Sequence, residues 1–472
     1  MPRPCFRFAV IFCLIGFFAT TVSRADTQSS RADTQSDAAQ ILTESGITGG
    51  FVVHLGAGDG ELAAAIGKSP TIQVHGLVRD AESVANARKT IQRTKAYGEV
   101  SIDRLDGDQL PYVDNLVNLL VTEDLGDISM DEVLRVLVPN GVALVKEGDD
   151  WKKTIKPRPD NIDEWSHYLH DATGNSVADD DVVAPPRHLQ WVGSPRWSRH
   201  HDRMASMSAL VSTGGKMFYI MDEGSRISIQ LPPKWKIIAR DAFNGSVLWK
   251  RDIPNWQSHL WPLKSGPTQL SRRLVSDDKN VFVTLGFNAP LTALDPATGE
   301  TLRTYQGSDA TEEIIAKDDT LFVVVRKGKA ELQDYAPLHG RVGDQARSRT
   351  DFFWDEEPRI VMAYDIASGE QLWAQKTRVS PLTLAADEDN VVFHDGEKVV
   401  SLNQRTGKVA WESESVTRRK SFTFNFGPRL VVHDNVICTL AATERCRVSM
   451  PRAARNFGTA NFPIAGTRVH KT

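Results

Sequence analysis

DIASGEQLW, residues 365–373, decides how most of this chain is read. The phrase recurs as DAFNGSVLW (241–249), DPATGETLR (295–303) and NQRTGKVAW (403–411). Each copy places a glycine four residues after its first position: Gly245, Gly299, Gly369 and Gly407. A tryptophan follows four residues later in three of them, with Arg303 in its place in the other. Apolar stretches such as VMAY and LTAL lead into the phrase and predict a strand. An Asp or Asn can bond backbone amides two residues on, and glycine accepts positive φ, so the middle predicts a tight turn. A second strand then delivers a large aromatic side chain, best read as a packing wedge between neighbouring units. One hairpin cannot bury such a face alone, so the units are expected to stack.

A second element precedes each phrase: SALVSTGGKMFYIM, RRLVSDDKNVFVTLG, EEIIAKDDTLFVVVR and LTLAADEDNVVFHDG, with PRLVVHDNVICTLA beginning a fifth unit. Each predicts strand, tight turn, strand. Four strands per unit are the makings of a β-propeller blade. The pattern D-x-x-[ST]-G-x-x-x-W resembles the repeat of pyrroloquinoline-quinone-type propellers, a repeat also found in an outer-membrane assembly factor. The domain is expected over residues 206–442, as four blades and a partial fifth, with an irregular tail at 443–472. The propeller is therefore expected to be incomplete, a truncated form of a longer design with an open edge. An insertion from Lys327 to Arg359, containing DFFWDEEPR, is a candidate rim loop or a solvated insertion.

The remainder of the chain differs in character. The composition is that of a globular protein, 41% hydrophobic and 25% charged, with a net charge of -4. No basic block is present, so nucleic acid is not an expected partner. Arg3 and Arg7 precede an apolar run from Phe8 to Thr20, and Ser23-Arg24-Ala25 offers a signal-peptidase site. Residues 1–25 are read as a signal peptide, which leaves no membrane span after cleavage and places the chain in the periplasm or outside the cell; an uncleaved anchor is the alternative. SRADTQS, repeated from Ser23 and Ser30, makes 26–40 a polar, flexible leader. Only Cys438 and Cys446 remain after cleavage, paired or free.

Residues 41–150 alternate strand and helix, which predicts a parallel α/β sheet of Rossmann type. FVVHLGAGDGELAAAIG (51–67) is strand, glycine-rich turn and helix start. With LDGDQLPY (105–112) and RVLVPNGVALV (135–145), it resembles a class I S-adenosylmethionine-dependent methyltransferase. The resemblance implies a cofactor cleft lined by Gly56, Gly58, Asp59, Gly60, Asp80 and Asp106. Three positions depart from that family. His54 stands where an acidic residue precedes the first glycine, Val78 where an acidic residue holds the ribose, and Asn115 where an Asp opens a strand. Asp80 falls two residues late for the ribose.

Residues 151–205 form a connector rich in Pro, Trp and His, expected to pack on the next domain. His167, His170 and Asp171, and His200, His201 and Asp202, are candidate metal ligands; hydrogen-bonded loop histidines are the commoner outcome. Three functions remain open from sequence. The first is an exported binding or scaffold protein that takes a protein or small molecule at the propeller rim or channel. The second is an S-adenosylmethionine-dependent methyltransferase. The third is a quinone-dependent dehydrogenase, although the repeat alone does not imply the quinone and that cofactor is not expected. No catalytic residue is named by the sequence.

Overall fold

The computed structural model describes residues 22–185, 189–194, 206–227, 231–254, 256, 268–328, 354–416, 430–433, 436–440, 445–449 and 461–463. Most of the expected signal peptide, and the tail from 464, lie outside these residues.

The chain enters through helix α1, Val22–Ser45. This corrects the flexible leader expected at 26–40. The stretch contains neither glycine nor proline, and its C-terminal turns are anchored because Ala38 and Ile41 are buried in the first core. Gly46 stops the helix in a left-handed conformation, its amide bonded to the carbonyl of Leu42.

Next come β1 (Gly50–Leu55), α2 (Glu61–Ile66), β2 (Ile72–Val78), α3 (Ala81–Thr94) and β3 (Val100–Arg104). β4 (Val117–Thr122), α4 (Met130–Val136), β5 (Leu137–Glu147) and β6 (Asp150–Ile155) complete the domain. The sheet order is β3-β2-β1-β4-β5-β6. The first five strands are parallel and β6 runs antiparallel to β5. This is the expected Rossmann-like sheet, with apolar clusters on both faces. Strand order reverses between β1 and β4, so the crevice beyond Leu55 and Thr122 is the topological switch point. Two boundaries shift from expectation. The sheet runs on through β6, past the boundary set at 150. Pro139-Asn140-Gly141 lies inside β5 and not between a helix and a strand, with Asn140 taking positive φ and the ladder register shifting near it.

Five four-stranded antiparallel sheets follow, each paired in sequence order. The first holds β7 (Met207–Thr213), β8 (Lys216–Asp222), β9 (Trp235–Asp241) and β10 (Val247–Asp252). The second holds β11 (Leu274–Ser276), β12 (Val281–Thr284), β13 (Leu291–Leu294) and β14 (Thr301–Thr304). The third holds β15 (Thr311–Lys317), β16 (Thr320–Arg326), β17 (Arg359–Asp365) and β18 (Gln371–Thr377). The fourth holds β19 (Ala385–Ala386), β20 (Asn390–His394), β21 (Val399–Asn403) and β22 (Val409–Glu412). The fifth holds β23 (Leu430–His433), β24 (Val436–Leu440), β25 (Arg445–Ser449) and β26 (Asn461–Pro463). First strands touch in succession, β7 to β11, β15, β19 and β23, which makes them the inner strands of a propeller arc.

The fifth sheet corrects the boundary at 442. Residues expected to form an irregular tail supply β25 and β26, and Cys438 is paired with Val448 across the ladder. These strands carry no repeat phrase, so their pairing follows from the neighbouring strand and not from local pattern. Cys438 is disulfide-bonded.

Candidate functional site

The glycine-rich turn after β1 has the form the sequence predicted. Gly56, Gly58 and Gly60 all take positive φ, and the space before Gly56 is open. Asp59 accepts the amide of Glu61 at 3.0 Å, beside the start of α2. The other candidate carboxylates are engaged elsewhere. Asp80 is the N-cap of α3 and accepts the amide of Ser83 at 2.8 Å, which holds its carboxyl below the usual range. Asp106 pairs with Arg104 at 2.7 Å on the exposed surface. Val78 ends β2 as a buried core residue, its carbonyl taken by the amide of Leu105. His54 is buried under the crevice. Burial pushes its pKa down to about 4, while Glu123 and Asp59 pull it part of the way back. Its Nδ1 has no hydrogen-bond partner among the described residues. The crevice thus offers an open glycine turn and a neutral imidazole, without a carboxylate at the end of β2.

The repeated phrase carries one geometry throughout. In each copy Asp or Asn at the first position accepts the amides of the next turn. Trp249, at the end of the first phrase, lies over Gly299 of the second: a Cβ added there would stand 2.5 Å from the ring. Its Nε1 donates to the carbonyl of Pro296 at 3.0 Å. Trp373 repeats this over Gly407, donating to Gln404 at 2.6 Å. Where the tryptophan is missing, Arg303 covers Gly369 and donates to Ile366 at 2.7 Å. Gly245 of the first phrase is covered by Trp191 of the connector, which donates to Ala242 at 3.0 Å. The connector therefore supplies the wedge that a preceding blade would have supplied.

The first histidine cluster is held by protein partners. His167 is fully buried, and its pKa is pushed down to about 3 by burial, with Arg272 adding to the effect. Its Nε2 accepts the amide of Ala316 at 3.1 Å, and its Nδ1 is 2.7 Å from the Ser166 hydroxyl. His170 Nε2 meets Asp163 at 2.6 Å, while Asp171 turns to Thr173. Both nitrogens of His167 are thereby occupied, and no cluster of three potential metal ligands forms among the described residues. His200, His201 and Asp202 lie outside the described residues.

Comparison with known proteins bears on both halves. Residues 233–461 match the family model described as outer membrane protein assembly factor BamB. That span runs from β9 to the start of β26, so it holds PQQ-type repeats. A search of curated proteins finds no match to the chain. Among solved structures, the chain is similar to a protein described as an S-adenosyl-L-methionine-dependent methyltransferase from Methanococcus maripaludis, at 22% identity over 29% of this chain and 67% of that one, TM-score 0.23. A methyltransferase from Aquifex aeolicus matches at 19% identity over 24% and 68%, TM-score 0.21. YcgJ from Bacillus subtilis matches at 23% identity over 23% and 48%, TM-score 0.21. The Rossmann-like assignment stands on strand order and not on these likenesses.

The PQQ-type propeller and the Rossmann-like domain are joined at the first phrase, by residues that the sequence did not single out. Asn118 of β4 donates to Asp241 at 2.7 Å and accepts from Asn244 and from the Phe51 amide, each at 2.7 Å. Asn244 also donates to the carbonyl of Leu116 at 3.0 Å. Burial raises the pKa of Asp241, and the Asn118 and backbone donors oppose that rise. The other phrases have Thr298, Ser368 and Thr406 where the first has Asn244, and those hydroxyls bond back to their own Asp or Asn. That exception was the only signal of the joint available in the sequence.

Inside the PQQ-type arc, Arg272 of the 3₁₀ turn Thr268–Arg273 reaches from the second sheet to the carbonyls of Leu384 and Leu382 before the fourth, at 3.1 and 3.4 Å. Glu313 of β15 accepts the amides of the same two leucines, that of Leu384 at 3.3 Å, and lies 3.9 Å from Arg272. Both side chains are buried, and burial raises the Glu313 pKa against the pull of Arg272. The expected rim loop is described only at its ends. At the second end Trp354 is buried and Asp355 pairs with Arg359 at 2.9 Å, while 355–358 are exposed; residues 329–353 of the insertion lie outside the described residues.

Proposed function

We propose that this chain is an exported binding or scaffold protein. In this reading the propeller carries the binding surface and the Rossmann-like domain is a docked module without methyl-transfer activity. The observation that carries the reading is the fate of the cofactor carboxylates. A ribose diol presents two hydroxyl donors, and Val78 at the end of β2 accepts neither, while Asp80 caps α3 and Asp106 faces Arg104. The residues present do not fit S-adenosylmethionine, and no methyl-transfer step is derived. Pyrroloquinoline quinone is not part of this reading: the repeat alone does not imply it, and Arg272 and Glu313 are engaged with the backbone of Leu382 and Leu384. Export rests on the N-terminal sequence, with support from the outer-membrane factor that names the matched family. No described helix is long and apolar enough to cross a membrane.

A thermal-shift series with S-adenosylmethionine, and with pyrroloquinoline quinone plus calcium, tests this reading. A ligand that binds the folded state raises the melting temperature by mass action. Neither addition is expected to do so. A concentration-dependent rise with S-adenosylmethionine would overturn the inactive-module reading, and one with quinone would restore the dehydrogenase.

A further inference from the structure

The connector crosses the same end of all five sheets. Trp165 and Ser212 of β7 exchange both backbone bonds, at 3.0 and 2.8 Å. The amide of Ser276, last in β11, donates to the Ser166 carbonyl at 3.0 Å. The amide of Ala316 in β15 donates to His167 Nε2 at 3.1 Å. The amide of Ala386, last in β19, donates to Ala172 at 2.8 Å, and that of Val432 in β23 donates to Thr173 at 3.0 Å. Each donor sits at or one residue before the C-terminal end of an inner strand, on the edge that its own sheet leaves unpaired. Water in an open channel would otherwise have to satisfy these amides.

We infer that residues 163–174 are a built-in plug, an internal peptide ligand that seals one mouth of the propeller and fastens its five sheets together. The plug is a folded hairpin. His167 donates its amide to the His170 carbonyl at 3.1 Å, His170 takes positive φ, and Asp163 holds the His170 ring. Asp163 also accepts the amide of Asp179, which fixes the outgoing chain. Glu164 accepts the amide of Gly214 in the turn after β7, and Ala172 joins the core shared by the third and fourth sheets. At the far end Gly174 lies against β23, where an added Cβ would stand 2.7 Å from the Leu430 carbonyl oxygen.

This arrangement has a consequence for partners. The plug and the phrase turns lie at the same end of the blades, because inner strands end there and third strands turn there. The Rossmann-like domain docks on that end through Asp241 and Asn244. That end of the arc is therefore occupied by the chain itself, which leaves a ligand the opposite end or the open edge. Of the histidines considered as metal ligands, His167 and His170 serve the plug, with neutral His167 as an acceptor.

Amide hydrogen exchange on the intact chain, resolved by residue, tests the plug. The amides of Ser212, Ser276, Ala316, Ala386 and Val432 are expected to exchange slowly in the wild type. Gly174→Val should speed exchange at Val432 by roughly tenfold, the worth of one hydrogen bond, and leave Ser212 unchanged. Replacing 163–174 by a Gly-Ser segment of equal length should speed all five together. If that variant does not fold, the wild-type rates still decide. Exchange of the five wild-type amides at the rate of open strand edges would overturn the plug, as would an unaltered Val432 rate in Gly174→Val.

Discussion

Replacing Trp249 and Gly299, singly and together, probes how blades are held to one another. Trp249 is 8% exposed, rests 6.0 Å from the Phe218 ring, and donates to Pro296 in the next blade. Trp249→Ala removes the ring and that bond, at a cost of about 3–5 kcal/mol. Gly299→Ala has two costs. The residue sits at φ +73, where a Cβ costs about 1 kcal/mol. The new methyl would also stand 2.5 Å from the indole, an overpacking cost of about 1–3 kcal/mol. In the double variant the indole is gone and only the backbone cost remains. The double variant should therefore be less destabilised than the sum of the singles, by roughly 1–3 kcal/mol. Urea unfolding followed by circular dichroism measures the cycle, with the slope compared between variants. Additivity within about 0.5 kcal/mol would refute the wedge.

Two further outcomes follow from buried polar groups. Asn118→Leu should leave the Phe51 amide unsatisfied and take the donor from one Asp241 oxygen, while the other keeps the Phe243 and Asn244 amides, at a cost of roughly 1–3 kcal/mol for one orphaned group. It should also split one calorimetric unfolding transition into two as the domains come apart, whereas a single unshifted transition would sink the joint. His54 has a folded pKa of about 4 against 6.5 in the unfolded chain. Between those values the unfolded state binds more protons. Stability from this group is whole above pH 6.5 and falls as pH drops toward 4, by about 1.4 kcal/mol per unit. Urea midpoints of His54→Gln across pH 4–7 should show a flatter profile than the wild type; parallel profiles would contradict the burial argument.

The propeller was legible because its phrase is a local code. Asp295, Gly299 and Trp249 each do a job that the residue type announces, so four sheets could be counted from the text. The fifth sheet was half legible: β23 and β24 alternate, but β25 and β26 take their partners from the sheet and carry no phrase. The Rossmann-like sheet was legible through its apolar strands and its glycine turn. Helix α1 was missed because its polar repeat resembles a linker, and its anchorage by Ala38 and Ile41 is a tertiary fact. Asp80 shows a different limit. Spacing marked it as misplaced for a ribose, but only coordinates show it capping α3. Of the connector histidines, His167 and His170 follow the hydrogen-bonded reading that the sequence favoured over metal ligation, but the partner of His167 could not be named, because a backbone amide from a distant strand leaves no trace near it in sequence.

Titration calorimetry of the intact chain with S-adenosylmethionine tests the central claim most directly, that the Rossmann-like domain is a docking module and not a cofactor enzyme. The account predicts no saturable heat up to about 1 mM, which bounds any binding near -4 kcal/mol. A one-to-one isotherm with a Kd near 1 μM, about -8 kcal/mol, would contradict it.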